Sequence, residues 1–182
     1  MRHLIPALTG GLLALALPVQ SALAWDETPE ARVAASEAAS LAEFDLALTF
    51  GEAAPANGKY VWRKDAANSK VDRVVISLSD QLAYAYDGED LIAVSSISSG
   101  KEGHDTPTGI FKVLDKQKSY FSKKYDNAPM PYMQRIDDYG VALHAGYLPG
   151  NPASHGCVRL PKSFASKLFA ATSVGTEVVI GT

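Results

Sequence analysis

From Val71 onward the chain is cut into short β-rich runs at short spacing, and this restricts the fold more than any other feature. Val74-Val75-Ile76-Ser77-Leu78 is the first run and Gln81 to Tyr86 the second. Asp87-Gly88 then supplies a turn before a third run, Leu91 to Ile97. Thr106-Pro107-Thr108-Gly109 is a strong turn, with proline in its second place and glycine in its fourth. Ile110 to Leu114 follows as a strand, and Tyr139 to His144 reads as a short one. Phe164 to Ala171 is the one convincing helix of this half, entered through Pro161, and Glu177 to Ile180 is a last strand. Many short strands and little helix predict a mainly β domain of the α+β kind. Residues 115–138 are less regular and carry Tyr120, Phe121, Tyr125 and Tyr132 among Lys, Asp and Pro. There is no internal repeat and no low-complexity tract.

The N-terminus has a different character. Arg2 and His3 make a short basic start, Leu4 to Val19 is mostly apolar, and Ala22-Leu23-Ala24 is a small-x-small pattern. Residues 1–24 therefore read as a secretory signal peptide, cleaved before Trp25. The apolar run is interrupted by Pro6, Gly10, Gly11 and Pro18, and it falls short of the roughly 20 residues of a spanning helix. Neither a twin-arginine pair nor a cysteine at the cleavage point is present. The expectation is a protein of the periplasm or another extracytoplasmic space, with no stable membrane insertion after cleavage.

Residues 25–58 read as an acidic, helical segment and a linker. Between Asp26 and Glu52 stand seven acids and one base, whereas residues 53–182 hold 15 bases and 13 acids. Thr28 is a plausible N-cap and Pro29 suits the first helical position. Val33, Leu41, Phe44 and Leu48 fall roughly on one face, so a helix packed on the following domain by that face is expected, ahead of the alternative of a detachable segment that contacts a partner or shields the site. Ala53 to Gly58 reads as the linker. The net charge of -3 argues against a nucleic-acid partner, for which a basic patch is the usual footprint.

Cys157 is the single cysteine. No intrachain disulfide or cysteine-based metal cluster can form, and a free thiol in an oxidising compartment is a liability unless it is used. Its surroundings suggest a use. Leu143-His144-Ala145-Gly146 lies upstream, and Ser154-His155-Gly156-Cys157-Val158-Arg159 encloses it. A nearby histidine that can hold the thiol proton turns cysteine into a nucleophile, and spacing alone leaves both His144 and His155 open for that role. Gly156 permits close approach of substrate, and the amides of Gly156 and Cys157 can face a developing oxyanion. Arg159 is suited to gripping a carboxylate. Each residue alone is explicable as packing, a turn or a surface ion pair; together they are not. Histidines in loops with no carboxylate at ligand spacing make no convincing zinc site, so neither metal nor organic cofactor is expected.

These residues resemble the L,D-transpeptidase catalytic domain of the YkuD type, whose signature is a histidine, a loop, then Ser/Thr-His-Gly-Cys-x-Asn/Arg. The likeness extends to Gln81 through Gly88, Ser98-Ser99-Gly100 and Thr106 through Phe111, and covers residues 71–182. The loop from His144 to Ser154 is short for the family, and Arg159 stands where some members have asparagine. The resemblance implies a transpeptidase-like β-sandwich with few short helices, preceded here by the helical segment.

For function, it implies a cell-wall enzyme that acts on peptidoglycan stem peptides. Cys157 would attack the carbonyl of the third residue, an L-centre, and expel the terminal D-Ala. The resemblance makes His144 the base, with His155, Ser154 and Arg159 on the substrate side. A base needs orienting through its other ring nitrogen. Position 145 offers no polar side chain, so the Ala145 carbonyl is the candidate. The acyl acceptor is a second stem peptide, giving a 3→3 cross-link, or an envelope protein, which becomes anchored. With water as acceptor the enzyme is instead a murein-peptide hydrolase, and a wall-binding module without catalysis is the remaining alternative. Residues 115–138 are expected to form a lid, with Tyr132 facing substrate.

Overall fold

The computed structural model describes residues 25–51 and 53–182, and the expected signal peptide lies outside them. In chain order the elements are β1 (Trp25–Asp26), α1 (Pro29–Phe50), β2 (Tyr60–Trp62), β3 (Arg73–Ser77), β4 (Leu82–Asp87), β5 (Asp90–Ser96), β6 (Gly109–Lys112) and β7 (Asp115–Gln117). Then follow β8 (Met133–Arg135), β9 (Ala142–Ala145), β10 (Val158–Leu160), α2 (Lys162–Ala171) and β11 (Glu177–Gly181). The strands form a seven-stranded sheet, β1-β6-β11-β3-β4-β5-β2, and a four-stranded sheet, β10-β9-β8-β7. The mainly β expectation holds.

Strand alternation explains the layering. Successive side chains leave a strand on opposite faces. Val74 and Ile76 of β3, Ala83 and Ala85 of β4, and Val178 and Ile180 of β11 point into the core between the sheets. There they meet Leu143, Val158 and Leu160 of the small sheet and Phe164 and Leu168 of α2. Val75, Leu82, Tyr84, Tyr86 and Val179 point the other way. The large sheet is apolar on both faces, so its second face must also be covered.

Helix α1 is that cover. Thr28 caps it as expected, its hydroxyl accepting the Ala31 N–H at 3.2 Å, and Pro29 opens the first turn. The face it buries is not the expected one. Ala35, Ala39, Ala42 and Leu46 pack on the sheet, while Val33, Leu41, Phe44 and Leu48 point outward, Leu48 with 86% of its surface exposed. The cause is distance. A Cβ on Gly181 of β11 would lie 2.2 Å from the Ala35 carbonyl oxygen, so helix and sheet approach to backbone contact. Only small side chains fit at that separation.

Tyr84 and Tyr86 both lie under α1, with different fates. Tyr86 Oη donates to Asp45 Oδ2 at 2.8 Å, whereas the fully buried Tyr84 hydroxyl has no partner among the described residues. A buried polar group without a hydrogen bond costs stability. Tyr84→Phe is therefore expected to raise unfolding free energy by about 1 kcal/mol in urea titration. A destabilised variant would show that the hydroxyl has a partner after all.

Candidate active site

Strands β9 and β10 run parallel, with Leu143 opposite Val158, His144 opposite Arg159 and Ala145 opposite Leu160. Leu143, Ala145, Val158 and Leu160 are committed to the core between the sheets. Alternation then turns His144 and Arg159 to the other face. Cys157, one residue before β10, packs beside Met130, Met133, Ala142 and Tyr120. Thus the apolar neighbours in Leu143-His144-Ala145 and Cys157-Val158-Arg159-Leu160 are what aim the three polar side chains together. His144, Cys157 and Arg159 line one cavity of about 290 Å³, with Ser154, His155 and Tyr125 also in its wall.

His144 is buried, and its Nδ1 lies 2.9 Å from the Ala145 carbonyl oxygen. A carbonyl only accepts, so Nδ1 carries the proton and Nε2 keeps its lone pair. Burial lowers the His144 pKa to about 4; the Ala145 hydrogen bond works against that shift and the Arg159 charge adds to it. The imidazole is neutral at neutral pH. Burial likewise raises the Cys157 pKa above the ordinary thiol value. Resting Cys157 is a thiol, and Sγ donates to the Gly140 carbonyl at 3.7 Å. Arg159 makes no ion pair among the described residues. Its aliphatic stem lies on Gly146, where an added Cβ would come within 2.9 Å of it.

The loop before Cys157 is braced from within. Ser154 is 1% exposed; its Oγ donates to the Cys157 carbonyl at 2.5 Å and accepts the Gly156 N–H at 3.1 Å. This differs from the expectation for both residues. The Ser154 hydroxyl is spent on the loop, and the Gly156 amide is engaged by it. Gly156 sits at φ +109°, a conformation that suits glycine. Thr106 Oγ1 donates to the Gly156 carbonyl at 2.9 Å and accepts the Gly100 N–H at 2.8 Å. Thr106→Val keeps the shape and strands both partners. It is expected to cost about 2 kcal/mol, read as a lower melting temperature; an unchanged transition would mean that water replaces the hydroxyl.

Tyr132 lies elsewhere. It packs on Phe169, with ring centroids 5.9 Å apart, and lines a neighbouring groove with Pro161 and Lys162 rather than either cavity at Cys157. Its neighbour in sequence, Pro131, gives its carbonyl to the Ala145 N–H, which fixes this part of the chain beside β9. From the 115–138 stretch Tyr120 lines the larger cavity at Cys157 and Tyr125 lines both, stacked on the exposed His155 ring at 4.7 Å; His104 meets the same ring edge-on at 4.6 Å. Sequence reasoning also missed Asp137. Its Oδ1 accepts the N–H groups of Tyr139, Gly140 and Val141. Asp137 followed by Gly140 is a turn signal that would have pointed to it.

On its other side Cys157 opens into a cavity of about 450 Å³, lined among others by Arg135, Asp138, Lys124 and Tyr139. His155 and Tyr125 belong to both cavities. Among the described residues no group of three or more His, Cys, Asp or Glu side chains is placed to hold a metal ion, and no helix is long and apolar enough to cross a membrane.

Known proteins resemble this arrangement in sequence and in fold. The solved L,D-transpeptidase of Stackebrandtia nassauensis is 27% identical, with a TM-score of 0.56 over 64% of this chain and 59% of its own. That of Xylanimonas cellulosilytica DSM 15894 is 26% identical, with a TM-score of 0.55 over 62% of this chain and 61% of its own. L,D-transpeptidase 3 of Mycobacterium tuberculosis, solved with a faropenem-derived adduct, is 21% identical and shares the fold, with a TM-score of 0.56 over 60% of each chain. The chain therefore spans less than two thirds of the length of these relatives. No curated protein matches. Residues 71–180, which hold every strand from β3 to β10 and the loop around Cys157, match the family model of the L,D-transpeptidase catalytic domain, YkuD, and the chain belongs to that family.

Proposed function

We propose that this protein is a peptidoglycan L,D-transpeptidase of the cell envelope with Cys157 as its nucleophile. The observation that carries the reading is the neutral His144, oriented by the Ala145 carbonyl, in one cavity with Cys157 and with Arg159, which has no ion-pair partner among the described residues. Arg159 grips a carboxylate of the donor stem peptide. As Cys157 Sγ bonds to the carbonyl carbon of the L-centre, its proton passes to His144 Nε2. The tetrahedral oxyanion is met by the Cys157 N–H, because the Gly156 N–H is already given to Ser154. The C–N bond then breaks, and His144 returns the proton to the departing D-Ala amine. An amine attacks the resulting thioester, loses a proton to His144, and the thiol leaves as Cys157 S–H. A second stem peptide gives a 3→3 cross-link; a lysine of an envelope protein gives an anchored protein. The 118–130 stretch, through Tyr125, forms the lid over this chemistry.

The test is mass analysis after incubation with a defined stem tetrapeptide and a competing amine. Release of D-Ala with a joined product supports transpeptidation. Tripeptide alone identifies a hydrolase. No turnover, and no covalent mass gain on Cys157 from faropenem, would leave a wall-binding module.

A further inference from the structure

We propose that Asp137 is a positioning residue that holds resting Cys157 as a protonated thiol by fixing the Gly140 carbonyl on its S–H. The proposal rests on Cys157 as the nucleophile. Asp137 is 3% exposed, and its Oδ1 accepts the N–H groups of Tyr139, Gly140 and Val141 at 3.0, 2.8 and 2.8 Å. Three donors on one oxygen gather the 138–141 turn around it. Arg135 Nη1 donates to the Asp137 carbonyl at 2.7 Å, and the Ile136 N–H donates to the Val141 carbonyl at 2.9 Å, which closes the turn's base. With its N–H turned to Asp137, Gly140 presents its carbonyl to Sγ at 3.7 Å.

The same geometry brings a buried negative charge near the sulfur. A carboxylate there opposes thiolate formation, in the same sense as burial. The other charged or titratable groups lining the two cavities at Cys157 are His144 from β9, Arg159 from β10, Arg135 from β8, Asp138 and Tyr139 from the turn, Tyr120, Lys123, Lys124 and Tyr125 from the lid, Tyr147 after β9, His104 and Asp105 before β6, and His155 from its own loop. Arg159 and Lys124 favour the thiolate, and neutral His144 adds no charge at neutral pH. Asp137 is thus the carboxylate whose charge acts on the thiol against the two cations. Oxidants and alkylating agents attack thiolates, so a thiol held on a carbonyl is protected in an oxidising compartment. The bond is given up when substrate enters and His144 takes the proton.

Two measurements test this. Asp137→Asn keeps an oxygen for the three N–H groups and removes the charge. In folded protein the pH midpoint of Cys157 alkylation by iodoacetamide should fall, and the rate at pH 7 should rise about fivefold or more. Asp137→Ala, which frees the turn, should speed alkylation while slowing faropenem acylation, a split that loss of stability alone does not produce. Unchanged alkylation in folded Asp137→Asn, or both rates falling together in Asp137→Ala, overturns the proposal. The wild type supplies a readout that needs no variant. Cys157 is the only cysteine, so its S–H stretching band is unique, and donation to a carbonyl moves that band to lower frequency. A band at the free-thiol position would also overturn the proposal. If alkylation responds as expected but no faropenem adduct or stem-peptide turnover is found, the transpeptidase reading fails and the role of Asp137 stands.

Discussion

Replacing His144 by glutamine is expected to slow acylation of Cys157 by about a thousandfold, measured as the rate of covalent mass gain with faropenem. The magnitude follows from the resting state. Burial pushes the thiol above its ordinary value and the imidazole down to about 4, so a thiolate–imidazolium pair is not populated at neutral pH. The proton must therefore move as the S–C bond forms, and a base in reach of it is required at that moment. Glutamine can still donate to the Ala145 carbonyl, but it cannot take a proton. Acylation by the wild type should be flat through neutral pH and fall as pH approaches 4, where His144 becomes protonated. The matched control is His155→Ala, which removes an exposed ring between Tyr125 and His104 and should cost under tenfold. A larger loss in His155→Ala than in His144→Gln would reverse the assignment of the base.

Local signals made much of this legible in advance. Proline, glycine and β-branched residues marked β3, β4, β5, β6 and β11, and Thr28-Pro29 marked the start of α1. The strands without such a signal, β1, β2, β7, β8 and β10, are two or three residues long, and distant partners make them strands. The buried face of α1 is not legible in the sequence, where Val33, Leu41, Phe44 and Leu48 mark the wrong side. Its alanines are buried because Gly181 brings the sheet too close for anything larger. At the site, Cys157, His144 and Arg159 were visible because their chemistry is encoded in residue type. Tyr125 was not separable from Tyr132, since which aromatic reaches a cavity depends on how the intervening chain folds back. For Asp137 the sequence carries a turn signal with Gly140, but the three backbone partners that give the residue its role exist only in the fold.

Stability should fall steeply between about pH 6.5 and pH 4, and His144 should account for about 3 kcal/mol of the loss. In the unfolded chain His144 titrates at its ordinary 6.5; in the folded protein it resists protonation until about 4. Between those values the unfolded state binds a proton that the native state does not, so stability is complete above the higher value and drains as pH falls through the window. Three kcal/mol corresponds to roughly 6–12 °C in melting temperature for a domain of this size. Other groups titrate over the same range, so the measurement is a difference. Melting temperatures of wild type and His144→Gln are compared from pH 7.5 to pH 4. The variant has nothing to protonate at this position, and its curve should be flatter by that amount. Parallel curves would mean that His144 takes up its proton at the ordinary 6.5 in the folded protein as well. The flat acylation profile expected down to about pH 4 would then break near pH 6.5 instead, and burial would not be what keeps the imidazole neutral.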